Sequence, residues 1–229
     1  MLTGPFDCSG SADARLAGLL AEIRACRICR DRPRGAPLPH EPRPVARASL
    51  SARLAVCGQV PGVRVHASGV PFSDPSGVRL RRWMGVTDAE FYDEARVAVL
   101  PMGFCFPGQD ARGADRPPRR ECAPAWRTQL FEALPNVELV LAIGRPAQLW
   151  HLGPDASPSL TETVARWREI LARPVLLRVL PLPHPSWRNN AWLRRHPWFE
   201  SELEPALRAL VRRALDSSPG PRRAGPDPA

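Results

Sequence analysis

The sequence predicts an α/β protein, a three-layer α/β/α sandwich around a central, mainly parallel four-stranded sheet. Short, nearly all-apolar segments at 53–57, 96–100, 137–143 and 175–180 alternate with stretches whose apolar residues recur at helical spacing. Strands that are apolar on both faces belong to a parallel sheet covered by helices on either side. Each segment also runs into a loop rich in Gly, Pro or reactive side chains, and the carboxyl ends of such strands are where open sheets hold ligands. With 229 residues, 44% of them hydrophobic, the chain can bury one substantial core.

The elements follow in order. Residues 1–12 are small and polar and read as a disordered arm. Residues 14–24 place Leu16, Leu19, Leu20 and Ile23 on one helical face, and Cys26-Arg27-Ile28-Cys29 ends that helix. Five prolines between 30 and 44 impose extended loop. The first strand ends in the long Gly- and Pro-rich run 58–77, and a helix over 77–84 follows. The second strand leads into Pro101-Met102-Gly103, and a helix covers 124–133. The third ends at Gly144-Arg145, with helices at 145–150 and 160–171. The fourth leads to Leu182-Pro183-His184-Pro185-Ser186-Trp187. A last helix spans 198–215, with Pro197 at its start and an irregularity expected at Pro205. The domain therefore occupies 13–215, and the Arg/Pro-rich stretch 216–229 reads as a disordered tail.

No apolar run approaches the ~18 residues of a membrane span, and the N-terminus lacks the features of a secretory signal. The expectation is a cytoplasmic monomer without a membrane partner. The formal charge is +9, from 32 basic residues against 23 acidic ones, and every basic residue is Arg. Such a surface attracts polyanions, nucleic acid first among them, although a merely solvated basic surface fits the charge equally well. Of the six cysteines, Cys57 lies in a strand and reads as a small core residue, and Cys8 falls in the arm. In a cytosolic chain the others point to metal binding or simple burial rather than to disulfides.

Two loops carry a resemblance. The first reads Gly58-Gln59-Val60-Pro61-Gly62, then Gly69-Val70-Pro71-Phe72-Ser73-Asp74-Pro75-Ser76-Gly77; the second is His184-Pro185-Ser186. In this order, with the strand and helix around Leu139-Val140-Leu141-Ala142-Ile143-Gly144-Arg145 between them, they resemble the uracil-DNA glycosylase superfamily, most closely its iron–sulfur branch. The resemblance implies a base-excision repair enzyme that flips a damaged base out of DNA and hydrolyses its N-glycosidic bond. It implies that Phe72 stacks on the base in a pocket shaped by Val60, Pro61, Gly62 and Met102. His184 would donate to the base oxygen as negative charge grows there. Ser186, Trp187, Arg188 and Asn189 would enter the minor groove or hold phosphates, with Arg145 a further DNA contact.

The motif departs from the family at two points. Gln59 stands where the closest branch has Glu, with Val60 beside it. Gln can orient water but cannot take its proton, which leaves His66 or Asp74 as candidates for that step. The uracil-reading Asn expected after the second strand is absent from Leu100-Pro101-Met102-Gly103, so the excised base stays open. Cys26 and Cys29, then Cys105 and Cys122, fit the spacing of the iron–sulfur branch. Four thiolates suit a [4Fe–4S] cluster or structural zinc, and the alternative is four thiols without metal. A glycosylase-like module that binds nucleic acid without cutting it, and an enzyme acting on free nucleosides, are the competing functions.

Overall fold

The computed structural model describes residues 11–217. Cys8, most of the expected arm and nearly all of the expected tail lie outside the described residues. Ser11 accepts the Ala14 N–H and caps α1 (Ala12–Arg24), so this helix starts two residues before the apolar pattern does. After a single turn, α2 (Ile28–Asp31), the chain has no regular element until β1 (Leu54–Cys57), as the prolines require. Then come α3 (Val63–Ser68), α4 (Pro75–Met84), α5 (Asp88–Tyr92) and β2 (Val97–Val99). The remaining elements are α6 (Cys122–Glu132), β3 (Leu139–Ile143), α7 (Arg145–Leu152), α8 (Leu160–Ala165), α9 (Trp167–Leu171), β4 (Arg178–Leu182), α10 (Asn190–Arg195) and α11 (Glu204–Asp216).

The four strands lie in the order β2-β1-β3-β4, and every pair is parallel. Alternate residues feed two cores. Ala55, Cys57, Ala98, Val140 and Ala142 face α1, α6 and α7. Leu54, Val56, Val97, Leu139 and Leu141 face α4 and α11. This is the expected sandwich, with helices on both faces. The strand order reverses between β1 and β3, so the crevice at their carboxyl ends is where a ligand site forms.

Local differences from the sequence pattern have local causes. The expected helix over 160–171 breaks at Arg166, where the backbone leaves helical geometry (φ −85°, ψ 15°), and becomes α8 and α9. The fourth strand starts at Arg178 rather than at 175, because Val175 and Leu176 sit in solvent, 52% and 78% exposed. Near Pro205 the chain winds as a π-helix over Phe199–Leu203 before α11, since proline lacks the N–H an α-turn needs. Arg127 on α6 is fully buried. It donates to the carbonyls of Leu100 (3.0 Å) and Pro101 (3.1 Å), and contacts Cys57 Sγ (3.2 Å) and His151 Nε2 (2.6 Å), tying together the ends of β1 and β2 and the helix after β3. Among the described residues no helix is long and apolar enough to cross a membrane.

Candidate active site

At the carboxyl edge of the sheet lies a groove of about 570 Å³, and a smaller pocket of about 70 Å³ opens from it. Both are lined by Gln59, Val60, Gly62, Asp74, Asp115 and His184. The pocket wall is built by the loop after β1. Phe72 there adopts a left-handed conformation (φ 53°), which a non-glycine residue tolerates only when its surroundings hold it. Two groups do so: the Tyr92 hydroxyl, its one hydrogen shared between the carbonyls of Pro71 (3.1 Å) and Phe72 (3.2 Å), and Arg81 Nη1, which donates to the latter (3.1 Å). Gly77 completes the fit, because a Cβ there would collide with the Phe72 carbonyl. The Phe72 ring lies against Gly58 and meets Phe91 edge-on at 5.9 Å, leaving it to line the pocket.

His184 follows β4 directly. Asn189 Nδ2 donates to its carbonyl (2.7 Å), and Arg79 Nη1 braces the loop through the Ser186 carbonyl (3.1 Å) and Asn190 Oδ1 (2.8 Å). Burial is the main cause that lowers the His184 pKa; Arg188 adds to the effect, while Asp74 and Asp115 oppose it. The imidazole is therefore neutral at neutral pH and offers a ring N–H as donor. Trp187 stands 71% exposed on the groove, with the Arg188 guanidinium 5.7 Å from its ring centre. Arg64, Arg79, Arg116 and Arg188 make the groove cationic.

The uracil DNA glycosylase superfamily model matches residues 46–208, a span that includes all four strands and both motif loops. The chain belongs to the uracil DNA glycosylase superfamily. Membership points to glycosylase-type activity on DNA, and the matched span carries the loops that line the groove at the carboxyl edge of the sheet.

Three expected site residues lie elsewhere. His66 sits on α3 beside Val65; neighbouring helical positions point about 100° apart, so Val65 lines the pocket while His66 packs on His40 and Phe106, with ring centres at 4.4 and 5.8 Å. Met102 is buried in the core, and what it gives the loop is its main-chain N–H, donated to the Gly58 carbonyl at 2.9 Å. Pro101 lines the pocket instead. Arg145 turns away from the groove, because its Nη1 donates to the Ser157 carbonyl at 2.6 Å. Asp74 is at the site, but its Oδ1 caps α4 by accepting the Gly77 N–H at 3.1 Å. Gln59 lies over Gly144, where a Cβ would collide with its amide.

Sequence reasoning missed Asp115 and Arg79. Asp115 sits in an exposed loop without periodicity, and Arg79 is one of many arginines. Nothing local marks either.

Cys26, Cys29, Cys105 and Cys122 line a second, apolar pocket, together with Ile28, Leu38, Phe104 and Trp126. Burial pushes Cys105 and Cys122 up to about 12 and raises Cys29 as well. The Phe104 N–H points at Cys122 Sγ (3.3 Å). Among the described residues no three His, Cys, Asp or Glu side chains form a group that would hold a single metal ion. The thiols share a pocket without closing on one point.

Proposed function

We propose that this protein is a DNA glycosylase that flips a damaged base into the pocket between Phe72 and His184 and hydrolyses its N-glycosidic bond in base-excision repair. The presence of Phe72, the neutral imidazole of His184 and Gln59 around one pocket, opening from a cationic groove, carries this reading. Flipping costs a few kcal/mol, offset by stacking and by hydrogen bonds to the base edge. Phe72, held in place by Tyr92 and Arg81, supplies the stacking face. As the bond breaks, electron density moves onto the base, and His184 donates to its oxygen without a charge of its own to neutralise. Gln59 orients water at the sugar. Val60, Pro61 and Gly62 close one wall of the pocket, Val45, Pro71, Val99 and Pro101 add apolar surface, and Asp74, Ser76 and Asp115 add polar groups beside His184. Ser186, Trp187, Arg188 and Asn189 meet the DNA, Trp187 as the wedge that fills the vacated stack.

We further propose that the four cysteines, which line one pocket, hold a [4Fe–4S] cluster. The apolar lining and the Phe104 N–H toward sulfur are the surroundings such a group takes. When bound, it would act as a clamp, joining the α2 turn to the loop after β2 and the start of α6.

The test is release of free base from duplexes carrying uracil, hypoxanthine or xanthine. The expected result is release from at least one, with His184→Ala slower by at least ~100-fold. Salt-sensitive DNA binding without release from any of them would instead support a non-catalytic binding module.

A further inference from the structure

Hydrolysis of an N-glycosidic bond needs a group to manage water at the sugar, and Gln59, an uncharged amide, cannot take a proton from it. Two carboxylates line both the pocket and the groove: Asp74 and Asp115. Asp74 already spends one oxygen as the cap of α4. Asp115 also has one oxygen engaged, but by a side-chain amide rather than by a backbone N–H that a helix start requires. Its Oδ1 accepts from Gln109 Nε2 at 3.2 Å, and its Oδ2 lies 3.3 Å from where a Cβ on Gly62 would stand, at the mouth of the pocket. The loop that carries it is well defined. Asp110 Oδ1 accepts the N–H groups of Arg112 (2.8 Å) and Ala114 (2.9 Å), Gln109 and Asp115 pair as an antiparallel bridge, and the Arg116 N–H reaches the Gly108 carbonyl (2.9 Å).

We propose that Asp115 is the catalytic carboxylate of this enzyme, taking the role that Gln59 cannot fill. The inference rests on the glycosylase reading above. The C1′–N bond breaks and its electron pair leaves with the base. A water oxygen supplies the pair for the new C1′–O bond, and Asp115 Oδ2 takes the proton that this water gives up. The proton passes through solvent to the base nitrogen, so the products are the free base and an abasic sugar bearing a hydroxyl. Before it accepts the proton, the carboxylate also faces the positive charge developing on the sugar, which favours bond cleavage. A Cβ on Gly62 would stand 3.3 Å from Oδ2, a contact that a small shift of the carboxylate would relieve.

The experiment measures single-turnover base release by the full chain on the same duplexes, with Asp115→Asn, Asp115→Ala and the parent protein side by side. DNA affinity and thermal unfolding are measured for each. The expected result is a loss of at least ~100-fold in release for both variants with affinity unchanged. Added formate or azide, small anions that can occupy the vacated space, should restore release by Asp115→Ala but not by Asp115→Asn. Release by Asp115→Asn at the parent rate, or a slow Asp115→Ala that neither anion rescues, overturns the assignment and leaves the glycosylase reading standing. No release by the parent from any duplex overturns both.

Discussion

Trp187 shows how a single side chain reports a task that packing cannot explain. A large indole 71% exposed on the rim of a cationic groove contributes little to folding. Its neighbours Ser186 and Asn189 are tied into the loop by hydrogen bonds from Arg79 and to the His184 carbonyl, so the ring stands on a fixed base. A wedge has these properties. Trp187→Ala should leave the unfolding free energy from urea titration within ~0.5 kcal/mol of the parent. It should slow base release from duplex DNA while sparing release from the same lesion in a single strand, where no stack needs refilling. Equal losses on both substrates would show that the ring contacts the flipped nucleotide instead. Some residues of the site were legible in the sequence because their demands are local: His184 between two prolines, and Phe72 within its Gly-Pro frame. Asp115 was not, because it reaches the site only through the path of a loop, and Met102 was misread because strand alternation beyond β2 turns its side chain into the core.

At the scale of elements, the loop after β1 and helix α4 form one unit. The left-handed turn at Phe72 works only because the helix begins beneath it with Asp74 as cap, Pro75 as its first residue and Gly77 without a side chain. Gly77→Ala would force the Phe72 carbonyl away from Tyr92 and Arg81. The expected cost is ~1–3 kcal/mol, read as a lower urea midpoint at unchanged slope. Strands and long helices were legible because burial on two faces writes itself as unbroken apolar runs. The short α3 was not: of its six residues only Val65 is buried, so no period could emerge. The split between α8 and α9 was hidden for the opposite reason, since Val164, Trp167 and Ile170 keep helical spacing across the break.

For the molecule as a whole, the sandwich is fastened from within by Arg127, a fully buried cation with carbonyl, sulfur and imidazole partners. Burial, and secondarily this guanidinium, lowers His151 to about 3 from an ordinary value of 6.5. In that window the unfolded chain holds more protons than the native one, so stability present above pH 6.5 is lost as pH falls toward about 3. Resistance to thermal unfolding should thus weaken as pH falls from 6.5 to 5, before carboxylates titrate, and His151→Gln should flatten that slope while keeping an acceptor for Arg127. An unchanged slope would mean that another group sets the acid sensitivity. The stretch from Cys105 to Cys122 has its own molecule-wide consequence. Surface loops usually absorb insertions at little cost, since closure entropy grows slowly with length. Here both ends line the thiol pocket and Asp115, ten residues after Cys105 and seven before Cys122, lines the other cavity. The length of this loop is therefore a ruler between two sites, and one residue more or less on either side of Asp115 would be felt at both.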